Sequence, residues 1–300
     1  MSDYLLRAIA NDNKMRVIIM ESTEIVKTAK ALHGTSVTAT AAFGRVLTGI
    51  SLMGAMQKNE GELLTISIKG DGPLEGVVAT SDISSNVKGY IFNPSAELPP
   101  NNRGKIDVGG GIGKGILTVI KEIGKAEPSV GQVELISGEI AEDLTYYFAQ
   151  SEQIQSAVVL GVLVDKNLSV KKAGGYILQI LPDATDEDIS AIENIIVNSP
   201  PLTTLLDEGN TPDDILEMLV GSFGYKILTR NEDVKYHCGC DKNKMKSVLK
   251  SIGETELQTI LEEDKKAELL CHFCNSSYDF TEGELGELLC ELQGENSEEN

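Results

Sequence analysis

The side chains best suited to chemistry in this chain are its cysteines, four of which fall into two close pairs. Cys238-Gly239-Cys240 is a C-x-C pair and Cys271-His272-Phe273-Cys274 a C-x-x-C pair, with thirty residues between them. Two such pairs joined by a foldable segment bring four thiolates around one ion. Zinc suits the set, with four sulfurs at about 2.3 Å in a closed tetrahedron. Soft thiolates also favour it over hard, oxygen-seeking cations. The C-x-C spacing is tighter than that of most zinc ligands, and Gly239, which has no Cβ, lets the chain turn between the two sulfurs. Cys238, Cys240, Cys271 and Cys274 are the expected metal ligands, with one zinc ion as cofactor. Cys290 is expected to be a free thiol. His237 and His272 flank a set that is already complete and are expected outside it, while His33 is isolated.

The spacer must fold back on itself for the pairs to meet. Met245, Val248, Leu249 and Ile252 fall at helical spacing, with Gly253 as a stop. Leu257, Ile260 and Leu261 mark a second, shorter helix before the acidic turn Glu262-Glu263-Asp264. Lys242, Lys244, Lys246 and Lys250 crowd the first helix. They form either a solvated face or a set of cations that would lower the thiol pKa values.

Three hundred residues allow two domains, or one large domain with an appendage. The net charge of −20 is unevenly placed. There are 17 basic and 19 acidic side chains up to Pro182, against 9 and 27 from Asp183 onward. So acidic a final third argues against binding a phosphate backbone and works against its own compactness. No apolar run is of bilayer length, and Met1-Ser2-Asp3-Tyr4 has no basic or hydrophobic leader character. A soluble, cytoplasmic protein is expected, with no membrane or nucleic-acid partner. Reduced thiols there favour metal binding over a disulfide framework.

Strand-like alternation runs through residues 4–10 and 15–20, and further strand candidates lie at 63–68, 74–79, 87–92, 115–123, 157–164 and 173–181. Residues 36–57, rich in Ala, Gly and Met, read as a buried helix, and a shorter helix begins near Ser137 and runs to about Ser151. The expected class is α+β: a mainly antiparallel sheet domain with helices over residues 1–182. A helical linker over 183–224 follows, holding Ile189, Ile192, Ile195 and Ile196, then residues 202–206, then a helix opened by Thr211 and Pro212. These short helices have apolar faces that are stable only when docked. A small C-terminal zinc-binding, redox-switch domain spans 225–292, opening with a hairpin over 225–236. Thr281 and Glu284 make a capping box for its last helix. Residues 293–300 read as an acidic, disordered tail.

Catalytic constellations are absent. The glycine run 109–115 lacks the P-loop's Ser or Thr and leads into a strand rather than a helix, so it reads as a loop between strands. Three histidines assemble no hydrolase motif. Cys271 and Cys274 are followed by turn residues, not by the helix of a thioredoxin-type pair. A non-enzyme is expected. By spacing alone a plain structural zinc module, used for partner binding, stands beside a redox-responsive one, with a thiol-disulfide oxidoreductase a more distant third.

The same residues carry a family likeness. The C-x-C, thirty-residue spacer and C-x-x-C, with Gly253, Leu257, Phe273, Tyr278 and Phe280, resemble the redox-regulated heat-shock chaperonin family, zinc-dependent holdases of the bacterial cytoplasm of the 33-kilodalton class. Gly70-Asp71-Gly72-Pro73-Leu74, the stretch from Ser137 to Leu144, and Ala173-Gly174-Gly175-Tyr176 are similar to that family's N-terminal signatures. Cys290 departs from the pattern. The resemblance implies an ATP-independent chaperone that is inactive while reduced and zinc-bound. It implies that oxidation pairs Cys238 with Cys240 and Cys271 with Cys274, releases zinc and unfolds the C-terminal region. A C-x-C disulfide closes a very small ring and should be readily reduced again. Exposed apolar surface then holds unfolding client proteins during oxidative and heat stress, with the active form a homodimer.

Overall fold

Alternating apolar side chains make a hairpin of Tyr4–Ala10 (β1) and Met15–Glu21 (β2), turned by Asn11, Asp12 and Asn13 at positive φ, where short amide and carboxylate side chains are tolerated. The molecule is described from a computed structural model covering residues 2–124 and 126–298. After the hairpin come Thr23–His33 (α1) and Val37–Gly54 (α2). An antiparallel set follows: Glu62–Gly70 (β3), Gly76–Asp82 (β4), Val87–Ile91 (β5), Gly115–Ile123 (β6) and Ser129–Glu134 (β7). It forms one five-stranded sheet in the order β5-β4-β3-β6-β7. Between β5 and β6 sits the short helix Val108–Ile112 (α3), and after β7 comes Ala141–Tyr147 (α4). Ser156–Val164 (β8) and Val170–Ile180 (β9) join the first hairpin in a second sheet.

Helix α2 forms the centre of a core to which both sheets contribute. It is long and apolar enough to suit a membrane span by composition, yet 89% of it is buried inside the protein. Small residues let the sheets close on it: a Cβ on Gly44 would lie 2.8 Å from Val162 and Val26, and one on Gly49 2.7 Å from Leu144. The helical reading of the Ala-, Gly- and Met-rich stretch holds for this packing reason.

The second sheet has a further apolar face. It is covered by Asp186–Asn198 (α5), Leu202–Asp207 (α6) and Pro212–Val220 (α7), whose Ile192, Leu205, Leu206, Ile215, Leu216 and Leu219 pack on Leu6, Ala8, Val17, Ile19 and Tyr176. Capping boxes Thr185/Asp188 and Thr211/Asp214 start α5 and α7, with Pro212 in the first turn of α7. These are the helices of the expected linker, and docking on the sheet supplies the burial their length requires.

Two compact units divide between His237 and Cys238. The expected boundary at residue 225 is corrected by Tyr225–Asn231 (β10), which pairs with β1 and makes the second sheet β10-β1-β2-β9-β8. Residues 225–236 are therefore not a hairpin of the C-terminal domain. The chain continues along β5, where Val87 N–H donates to Lys235 O at 3.0 Å and His237 N–H donates to Val87 O at 2.8 Å. The second unit holds Lys242–Ser251 (α8), Glu254–Glu263 (α9), a hairpin of Lys266–Leu270 (β11) and Ser277–Thr281 (β12), and Glu282–Glu298 (α10). Gly253, at φ 96°, separates α8 from α9 in a backbone region that side chains disfavour. The core of this unit is Leu249, Leu257, Phe280, Leu285 and Leu288.

Four further points differ from the sequence reading. Helix α1 and strand β7 were not expected. The glycine run is partly helical, because Asp107 caps α3 by accepting from Gly110 N–H at 2.9 Å. Helix α10 continues through Glu298, so residues 293–298 are helical rather than disordered; 299 and 300 lie outside the described residues. His33 is not isolated, since its Nε2 lies 3.1 Å from Tyr236 Oη and its ring meets Phe43 edge-on.

Candidate metal centre

Two loops of the C-terminal unit carry the cysteine pairs. Cys238, Gly239 and Cys240 lead into α8, whose start is fixed by Asp241 accepting from Lys244 N–H at 2.9 Å. Cys271 and Cys274 form the turn between β11 and β12. Cys271 N–H donates to Ser276 O at 2.9 Å, and the N–H groups of Cys274 and Asn275 donate to Cys271 O at 3.2 and 2.7 Å. Asn275 takes φ 54° to close that turn. The turn chemistry read from Asn275-Ser276-Ser277 is thus what presents the second thiol pair.

The loops bring the sulfurs together. Sγ of Cys238 lies 3.7 Å from that of Cys271, and Sγ of Cys240 lies 3.2 Å from that of Cys274. All four fall within 4.8 Å of one another. A tetrahedron with metal–sulfur bonds of about 2.3 Å has edges of about 3.8 Å, so the spacing and the all-thiol donor set fit one zinc ion. Cys271 is buried, its three companions are half-buried, and Cys290 is exposed. His272 is exposed and outside the cluster, as is His237.

Burial pushes the Cys238 thiol up to about 12 and raises Cys271 as well, because a sulfur anion there loses solvation. Burial also acts against ionisation of Cys274, but Ser276, 3.3 Å away through its hydroxyl, and the neighbouring thiols outweigh it and bring the group down to about 7. Four unliganded sulfurs therefore differ in acidity. A divalent cation would favour all four in the thiolate form.

Tyr278 completes the surroundings with its hydroxyl 3.1 Å from Cys240 Sγ. Its phenol is raised, first by that hydrogen bond and then by burial. Sequence reading placed Tyr278 among the family-like residues without a role, and missed Ser276. The signal lay in their positions two and four residues beyond Cys274, where a tight hairpin turn must bring side chains back to the loop. The lysines of α8 have other partners. Lys242 pairs with Glu284 at 2.5 Å and lies over the Phe280 ring, Lys250 pairs with Glu291 at 2.9 Å, and Lys244 reaches Gly239 O. Lys242 and Lys250 are thus ion-paired away from the sulfurs, while Lys244 holds the backbone of the C-x-C loop.

Comparison with known proteins shows a family likeness over nearly the whole chain. A family model described as Hsp33 protein matches residues 3–281. The 33 kDa chaperonin of Lachnoclostridium phytofermentans is 46% identical over 96% of this chain and 99% of its own length. That of Clostridium perfringens is 48% identical over 98% of this chain and 93% of its own. The crystal structure of the Thermotoga maritima 33 kDa chaperonin superimposes with a TM-score of 0.87 at 39% identity, covering 97% of this chain and 99% of that one.

Proposed function

The chain belongs to the Hsp33 family, and on that premise we propose that it is an ATP-independent chaperone whose activity is set by the redox state of Cys238, Cys240, Cys271 and Cys274. The observation that carries the redox reading is the convergence of these four thiols within 4.8 Å. In the reduced protein they are the ligands of one zinc ion. Bound there, zinc cross-links the two loops and adds its binding free energy to a unit with a small core.

Oxidation acts on the chain's own sulfurs. For each pair of thiolates a peroxide takes up two electrons from sulfur and two protons from solvent, its O–O bond breaks to give two waters (or water and an alcohol), and an S–S bond forms. We assign the pairs Cys238–Cys240 and Cys271–Cys274 on family likeness. The contacts do not choose between partners, because the four sulfurs are all neighbours. Chain entropy supports the assignment: local disulfides close very small loops and leave α8 and α9 free to unfold, whereas a Cys238–Cys271 bond would restrain the thirty-residue spacer. A disulfide sulfur carries no charge for a metal, so the cross-link between loops is lost. Loosening that spreads into the acidic residues beyond Asp183 frees α5, α6 and α7 from the second sheet. Their apolar faces and the uncovered sheet then receive unfolding proteins, in a cytoplasmic homodimer.

The test is light scattering from a heat-aggregating client, with zinc release recorded alongside. Suppression by the peroxide-treated, zinc-free protein and not by the reduced, zinc-loaded one is expected. Equal behaviour of the two forms with zinc retained would reduce the cluster to a structural staple.

A further inference from the structure

The first compact unit contains a cleft of about 360 Å³ that the chaperone reading does not use. Its size lies in the range of roughly 300–1,000 Å³ that small-molecule sites occupy. The walls come from the C-terminal end of α2, from β3 and β6, and from the segment that follows α4. Met53, Met56, Leu64, Phe148 and Ile154 give the cleft an apolar side, the rest of the wall is polar and charged, and Arg16 of β2 is part of it.

Charge in this cleft is unbalanced at one point. Of its three carboxylates, Glu62, Glu122 and Glu152, two are already served: Glu152 accepts from Lys121 and from Tyr147 Oη at 2.7 Å, and Glu62 accepts from Asn59 and from Lys58 N–H at 3.2 Å. Arg16 is not served in this way. Its Nε and Nη2 both go to one neutral acceptor, Oε1 of Gln179, a fully buried side chain held in turn by Ser156 Oγ at 3.1 Å. Arg7 stands diagonally across the β1–β2 pairing on the same face, since Ile9 lies opposite Arg16 and Arg7 opposite Ile18. It gives Nη1 to Ala55 O at 3.4 Å, and its Nε is buried without a partner. Among the described residues neither arginine forms an ion pair with a carboxylate. Burial, and then the charge of Arg7, depress the Arg16 guanidinium, as expected for a cation lacking a counter-charge.

We infer that this cleft binds a small amphipathic carboxylate, its carboxylate on Arg16 and its apolar body against Met53, Met56, Phe148 and Ile154. The planar guanidinium matches a carboxylate in geometry as well as charge. A bound anion would supply the counter-charge that the protein itself withholds.

Calorimetric titration of the full-length, reduced, zinc-loaded protein with octanoate tests this, with 1-octanol, acetate and octyltrimethylammonium as comparators. Saturable one-to-one binding of octanoate is expected, at least roughly tenfold tighter than each comparator, which corresponds to about 1.4 kcal/mol. Arg16→Met should weaken octanoate to the level of 1-octanol. Should that variant fail to fold, Ile154→Glu, which sets a carboxylate into a partly exposed wall, should weaken octanoate by a similar factor. Absence of saturable octanoate binding, equal binding of 1-octanol or acetate, or undiminished binding in the folded variant would each overturn the inference. The measurement involves neither oxidant nor client, so its outcome is independent of the redox reading.

Discussion

The phenol of Tyr278 places its oxygen 3.1 Å from Sγ of Cys240, joining strand β12 to the C-x-C loop through a hydrogen bond to sulfur. A donor aimed at a thiolate stabilises its charge and fixes its orientation toward a metal. Outer partners of this kind typically contribute 10–100-fold in affinity. Tyr278→Phe is therefore expected to weaken zinc binding by roughly tenfold or more and to speed thiol loss under peroxide. Competition with a chromophoric chelator, run beside a thiol assay, measures both. Unchanged affinity would show that the contact is only packing.

Metal removal should act on one unit and spare the other. The core of the C-terminal unit is five buried side chains, whereas α2 alone contributes more than that to the N-terminal core. With a strong chelator, amide protection is expected to vanish across α8 and α9 and to persist in α2, β3 and β6. Hydrogen exchange resolved by peptide gives the answer. Cys271→Ser should reproduce the pattern without a chelator, and loss of protection in both units together would refute the division.

The docked helices offer a way to separate exposure from oxidation. Leu216 is fully buried against the second sheet. Leu216→Glu places a charge there that the sheet cannot pair, at a cost of several kcal/mol. The reduced, zinc-loaded variant is expected to suppress client aggregation without peroxide. A variant with folded α7 and no suppression would remove that face from the client surface.

Acidity should affect the N-terminal unit through Asp3. Burial raises this carboxyl from 3.8 to about 6, although it accepts from Glu24 and Ile25 N–H at 2.9 and 2.8 Å. The folded pKa exceeds the unfolded one, so below about pH 4 both states are protonated and the group imposes no penalty. As pH rises through 6 the folded carboxylate must ionise in its buried site, and up to about 3 kcal/mol is lost. Denaturant unfolding between pH 4 and 7 should show this slope, flattened in Asp3→Asn. An unchanged slope in the variant would assign it to other groups.

Close packing on α2 sets a steric limit. A Cβ at Gly44 already meets Val26 and Val162 at 2.8 Å. Gly44→Leu is expected to destabilise the protein by about 1–3 kcal/mol or more through overpacking. Thermal unfolding of the reduced protein should move down accordingly, and an unshifted transition would show that the two sheets can part.

The sequence by itself determined the elements whose signals are local. The metal-ligand candidates follow from cysteine spacing, the capping box at Thr281 from residue types three apart, and the start of α7 from Thr211 and Pro212. The central helix follows from its lack of charge, and β6 was legible to the residue from its alternation between turns. Tertiary structure decided what depends on distant partners. Strand β10, Tyr225–Asn231, reads as half of a local hairpin, but β1 offers a free edge more than two hundred residues earlier, and a backbone ladder does not record in sequence where its partner lies. The hairpin β11–β12, which flanks the second cysteine pair, was hidden because short, half-exposed strands carry little alternation. Arg16 gave no signal at all. An arginine in a strand is ordinary until the fold sets it in a cleft with an apolar side, beside a second arginine and with a neutral amide as its partner. Chemistry carried by neighbours in sequence is written in the chain, while chemistry that arises from juxtaposition exists only once the sheets have closed.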